Sequence, residues 1–234
     1  MSKPGVVKIS CFLSVWLFGL SSWAQESTNR IWLDFKPHFK VNENLEYFGD
    51  AGYRIILSEQ IHTFVLRPSV RYYFKPWLDL MGGIGFFYEI DPNLSNLFEI
   101  RPWQGVRVHW PTFGRIGIKH YFRLEERFLW ETESWIFDPA LRLRYKLGSR
   151  IPFNESRTIY VSLFVEAFAN FGGEDVERFR NRMRGYFGFG WRFDDTWSVE
   201  IEYIHQASRS TDADEFDVSD NIFRLRVFKG GWVW

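Results

Sequence analysis

The sequence predicts an all-β chain folded as an antiparallel up-and-down transmembrane β-barrel of about ten to twelve strands, and three observations predict it. Apolar and polar residues alternate with period two over stretches of ten residues or more, along most of the chain. The 234 residues include 25 Phe and 12 Trp, yet beyond the first 24 no continuous apolar run is long enough for a membrane helix. The connections between the alternating stretches fall into a short class and a longer polar class, as the two ends of an outer-membrane barrel do.

Taken in order, residues 1–24 read as a secretory signal cut after Ala24. Lys3 and Lys8 precede the apolar run from Ile9 to Leu20, and Ser22-Trp23-Ala24 places small residues at the cleavage positions. That run is shorter than the roughly 20 residues a bilayer-spanning helix needs. Cys11, the only cysteine, falls inside it, so residues 25–234, the predicted barrel, contain no thiol for a disulfide or for cysteine catalysis. Strands are predicted at 31–40, 47–57 and 64–74, where Phe64, Leu66, Val70, Tyr72 and Phe74 share one face and Arg67, Ser69 and Arg71 the other. The Lys75-Pro76-Trp77 turn leads to 78–88, and further strands follow at 98–110, 115–128, 139–147, 158–170, 179–193, 196–206 and 221–229. Short turns are read at Lys75-Pro76, Pro111 to Gly114 and Asp194-Asp195, and longer ones at 89–97, 129–137, 171–178 and 207–220. Eleven candidates conflict with the even count expected when both termini lie in the periplasm. Either 31–40, which Pro37 makes the weakest of the eleven, lies outside the wall and leaves ten strands, or one missed strand gives twelve.

Alternation alone does not choose between a soluble barrel that binds an apolar ligand and a membrane barrel with its charges inside. Three features favour the membrane. The strands are long enough to cross a bilayer. Trp77, Trp103, Trp110, Trp130, Trp135, Trp191 and Trp197 fall near strand ends, where an interfacial girdle stands. The Trp232-Val233-Trp234 terminus is similar to the signal by which outer-membrane proteins engage the barrel-assembly machinery. The charged face then lines the lumen: Arg123, Glu125 and Arg127 on one strand, Arg142 and Arg144 on the next, then Glu166, Arg182, Arg184, Glu200, Glu202, Arg224 and Arg226. In a narrow bore such charges must form Arg–carboxylate networks. His120 and Glu126 fall on the outer parity instead. The expected partners are outer-membrane lipid and the assembly machinery. Lys plus Arg and Asp plus Glu balance at 29 each, which gives no electrostatic case for nucleic acid.

Five blocks, YFRLEERF (121–128), ALRLRYKLG (140–148), VEAFANF (165–171), RNRMRGYFGFGW (180–191) and VEIEYIHQ (199–206), resemble an outer-membrane β-barrel family of Gram-negative bacteria known as a domain of unknown function. The Arg-x-Glu-x-Arg and Glu-Ala-Phe elements carry most of the resemblance. It implies a membrane barrel located in the outer membrane and brings no catalytic residues with it.

Signals for chemistry are sparse. His205 with Ser208 and Ser210, supported by Glu202, is the one arrangement suited to acyl transfer, and gives an outer-membrane lipid-modifying hydrolase as the alternative from another class. No nucleophile elbow surrounds it. His38, His62, His109 and His120 lack metal-ligand spacing. Gly82-Gly83-x-Gly85 and Gly185-x-x-Gly188-x-Gly190 lie within strands and open no helix, so no nucleotide or other cofactor is expected. The expected function is passive: envelope structure, or a small pore or binding channel.

Overall fold

The structure, a computed structural model, describes residues 27–172, 179–210 and 218–230. Eleven strands follow in order: β1 (Ser27–Lys40), β2 (Leu45–Ile56), β3 (Ile61–Lys75), β4 (Leu78–Ile90), β5 (Leu97–His109), β6 (Gly117–Glu131), β7 (Phe137–Pro152), β8 (Ile159–Gly172), β9 (Phe179–Arg192), β10 (Trp197–Ser210) and β11 (Val218–Lys229). Each pairs antiparallel with its predecessor, and β11 returns to β1, so the sheet closes into a barrel. Closure leaves no sheet edge unpaired.

The closing ladder corrects one expectation. An odd number of alternating strands leaves the first and last running the same way, and β1 pairs in parallel with β11 from Ser27↔Ser219 to Pro37↔Lys229. Residues 31–40 therefore belong to the wall, and neither ten nor twelve strands are needed. The termini of the barrel also separate. Ser27 lies at the upper end, with the connections after β2, β4, β6, β8 and β10, whereas Lys229 lies at the lower end. The expectation that both sit on one side does not hold.

Pro37 is tolerated for a local reason. In an antiparallel strand each residue directs its N–H and C=O to one neighbour only, so a missing N–H disturbs one ladder and spares the other. Pro37 keeps its place against β11, while the β1–β2 ladder skips Lys36 and Pro37. Pro68 likewise pairs with Gly49 on β2 and is skipped by β4, and Pro102 pairs with Ile84 on β4 and is skipped by β6.

The strands run further than the alternation indicated, and the contrast in loop length shrinks accordingly. Among the described connections, the upper end has 57–60, 91–96 and 132–136, and the lower end has 41–44, 76–77, 110–116, 153–158 and 193–196. The stretch around Pro111 to Gly114, expected to be a short turn, is the longest of these. In the last of them, the Asp194 carboxylate accepts the N–H groups of Thr196 at 2.6 Å and Trp197 at 2.8 Å, which closes the turn. Gly230, just past β11, has φ +102°, and a Cβ there would stand 1.7 Å from the His38 carbonyl oxygen. Only glycine fits that approach. The predicted signal and the Trp232–Trp234 terminus lie outside the described residues.

Polarity is partitioned inside out. The outer surface exposes Leu33 and Phe35 on β1, Phe64, Leu66 and Phe74 on β3, Leu143 on β7, Phe187 and Phe189 on β9, and Ile201 on β10. Among the described residues the inner surface buries charges on every strand except β9, which contributes the partly buried Arg184. Trp77, Trp110, Trp191 and Trp197 stand at the lower end of the outer surface and Trp130 and Trp135 at the upper. Trp103 corrects the girdle expectation: it is 3% exposed and points inward from the middle of β5.

Candidate functional site

The interior holds a cavity of about 940 Å³, whose lining runs from Glu59, Asp91 and Ser95 at the upper end to Lys36, His38 and Lys119 near the lower. Eighteen Arg and Lys side chains and eight carboxylates line it. Six more carboxylates, Asp34, Glu46, Asp79, Glu125, Glu200 and Glu202, are buried against the wall behind that lining. Cations thus face the cavity while many of their counter-charges sit behind them.

All twelve predicted lumen residues lie on this inner surface. Glu125 is their hub. Fully buried, it accepts hydrogen bonds from Arg142 Nε at 2.7 Å, Arg144 Nη1 at 2.6 Å and Arg123 Nη1 at 3.3 Å, with Arg101 at 3.8 Å. Register explains the cluster, because Arg123 stands directly opposite Arg144, and Glu125 opposite Arg142. Two like charges face each other, and the carboxylate one pleat away relieves them. Arg144 extends the chain to Glu166 at 2.7 Å, which also accepts from the Tyr186 hydroxyl. Glu200 and Glu202 both accept from Arg226, and Glu202 accepts from Arg224 Nε at 2.6 Å. Arg127 bonds Glu99 at 2.7 Å, and Arg182 lines the cavity.

Small residues make room for these groups. A Cβ on Gly190 would stand 1.9 Å from Cζ of Tyr160, whose hydroxyl donates to Glu200 at 2.6 Å, and one on Gly188 would meet the Ser162 hydroxyl and Glu202. Gly188 and Gly190 of β9 therefore accommodate neighbouring side chains within the bore, whereas a Cβ on Gly185 would meet nothing.

In the N-terminal half of this interior the sequence reading placed Arg67, Ser69 and Arg71 on the polar face but named no ion pair. Asp50 bonds Arg67 and Lys36, Asp79 bonds Arg107 and His109, Glu46 bonds Arg71 and His38, and Glu99 bonds Arg101. The same parity that marks Arg123 and Glu125 marks these residues. Inward-pointing aromatic rings were also missed. They carry guanidinium groups on their faces: Arg123 over Trp103 at 3.8 Å, Arg101 over Phe87 at 3.9 Å and Arg54 over Trp32 at 4.3 Å. Trp32, Tyr186, Ile204 and Ile222 pack together with Phe164 as an apolar island within the charged interior.

The hydrolase residues are not brought together. His205 is exposed on the outer surface, whereas Ser208 is fully buried and Glu202 nearly so on the inner one. The side chain of Ser210 lies outside the described residues. His120 also faces outward. Its Nδ1 is 2.8 Å from the Tyr145 hydroxyl and its ring 5.7 Å from Trp110, so it joins the lower aromatic belt. Glu126 keeps the outer parity and is partly buried, with no hydrogen bond or ion pair among the described residues. Among the described residues no group of three or more His, Cys, Asp or Glu could hold a metal ion.

A search of curated proteins finds no match. A family model matches residues 29–217, which span β1 through β10 and every predicted lumen residue except Arg224 and Arg226. On that coverage, the chain belongs to the family described as Protein of unknown function (DUF2490).

Proposed function

We propose that this protein is an outer-membrane barrel whose cation-lined interior admits or holds small anionic solutes. The observation that carries the membrane half is the inverted polarity: large apolar side chains cover the outside and paired charges fill the inside. Strands of 12 to 16 residues, tilted as in known barrels, reach roughly 30–40 Å, enough for a hydrocarbon core of about 30 Å. The two tryptophan belts stand where the interfaces would fall.

The anionic half rests on the lining, where eighteen cations face eight carboxylates. Guanidinium forks suit phosphate and carboxylate groups, and a cleft lined mostly by one sign of charge focuses its field. Fractionation and heat-modifiable gel migration test the membrane location; recovery wholly from the soluble periplasm would end it. Reversal potentials across planar bilayers in a salt gradient test the charge preference, with anion selectivity expected. Cation preference, or no current together with no anion binding, would leave the charges as internal filling.

A further inference from the structure

A cation kept away from any carboxylate inside a barrel needs a reason, because desolvating a charge without a partner costs stability. Of the eighteen lining cations, Arg54, Lys119 and Lys146 have no carboxylate oxygen within 4.0 Å among the described residues. Two of these three sit on the same apolar island. The Arg54 guanidinium lies 4.3 Å from the Trp32 ring centroid, and its Nε is buried without a hydrogen-bond partner. The Lys146 ammonium lies 3.9 Å from the Tyr186 ring and 4.6 Å from Phe164.

Two further guanidinium groups stand near the same rings. Arg184 is 5.1 Å and Arg224 5.7 Å from the same Trp32 centroid, and Arg224 is also 5.4 Å from Tyr186. Trp32, Arg54, Lys146, Arg184 and Arg224 all line the cavity. Their counter-charges are turned aside or shared. Glu202 bonds Arg224 and Arg226, Glu166 bonds Arg144 and stays 3.9 Å from Arg184, and Asp34 stays 3.9 Å from Arg224. Register holds the group in place, since Trp32 pairs with Arg54 on one side and with Arg224 on the other.

We infer that the four cations around Trp32 and Tyr186 form a built site for a doubly charged oxyanion, with phosphate, free or as a monoester, as the group it takes. The inference rests on the anionic reading above and locates it. Arg54 and Lys146 supply unpaired charge, Arg224 and Arg184 complete the cradle, and the rings behind them hold the cationic groups without neutralising them.

The test is calorimetric titration of inorganic phosphate into the full chain refolded in detergent micelles, with succinate as the dicarboxylate arm and chloride as the background ion. Saturable phosphate binding is expected. Arg54→Gln and Lys146→Gln should each weaken it by about tenfold or more, the loss of one charge-assisted contact. Arg115→Gln, which removes a charge outside the bore, should not. A purely structural role for Arg54 would lower the urea midpoint, whereas the ligand site predicts a midpoint as high as that of the parent chain or higher. Should Arg54→Gln fail to migrate as a folded barrel, Arg54→Lys carries the test, keeping the charge and losing the fork, with a several-fold loss expected. Equal phosphate affinity in the folded variants and the parent would overturn the site, as would succinate binding that excludes phosphate. If bilayer currents stay anion-selective while phosphate shows no saturable binding, the site falls and the anionic reading stands. If selectivity is absent as well, both fall.

Discussion

Replacing Glu125 by Gln should destabilise the barrel more than almost any other single change, and the amount follows from the partners it leaves behind. Among the described residues Arg142 and Arg123 have Glu125 as their only carboxylate, whereas Arg144 keeps Glu166 and Arg101 keeps Glu99. The substitution preserves shape and strands two buried guanidinium groups, of which Arg123 keeps the Tyr121 hydroxyl and the Trp103 ring face. Removing one partner of a buried ion pair costs about 3–5 kcal/mol, far more than the pair adds when compared with a well-packed apolar replacement. A second change tests that logic. Arg142→Met on the Glu125→Gln background removes one of the two stranded charges and should recover about half the loss, a coupling that a double-mutant cycle reports. Urea unfolding in detergent micelles, followed by tryptophan emission, measures all four chains. A Glu125→Gln midpoint matching the parent, or a double variant no more stable than the single, would refute the view that Glu125 holds the guanidinium cluster together.

Other predictions follow from separate features. Phe187, 57% exposed on the outer surface in the middle of β9, meets lipid if the barrel spans a membrane, so Phe187→Arg should cost about 2–4 kcal/mol of folding into vesicles; an effect under about 0.5 kcal/mol would indicate a water-facing surface. Gly190→Ala pushes a methyl group into the Tyr160 ring and breaks its bond to Glu200, for an expected loss of about 1–3 kcal/mol in the same urea assay. His205→Ala should leave lipid turnover in the outer membrane unchanged, since His205 and Ser208 occupy opposite surfaces.

Much of the wall was legible because one rule, alternation of side chains along a strand, assigns every residue once a single one is placed. Arg123, Glu125 and Arg127 follow from it, as do the outward His120 and Glu126. Applied throughout, it would also have separated His205 from Ser208, since residues three apart on a strand cannot share a face. It would have found Asp50, Arg54 and Glu99 as well. What alternation does not carry is pairing beyond adjacent strands. The β1–β11 ladder joins segments with no turn between them, and nothing local in either announces a parallel partner. The inward rings of Trp32, Trp103 and Tyr186 were obscured for another reason: an aromatic residue suits either the outer surface or a guanidinium on the inner one, and only its neighbours on other strands decide.

The parallel seam has a consequence for assembly. Ten of the eleven ladders join strands separated by one connection, so each can form as a hairpin as soon as its two strands meet. The eleventh must bring together residues such as Thr28 and Asp220, which hydrogen-bond across 192 positions of chain. The entropy of closing so long a loop is largest there, and the contacts that reward it, including the Arg30–Asp220 ion pair at 3.1 Å, come only at the end. Zipping that seam should be the slow, final event of folding, and its opening the first step by which the barrel comes apart.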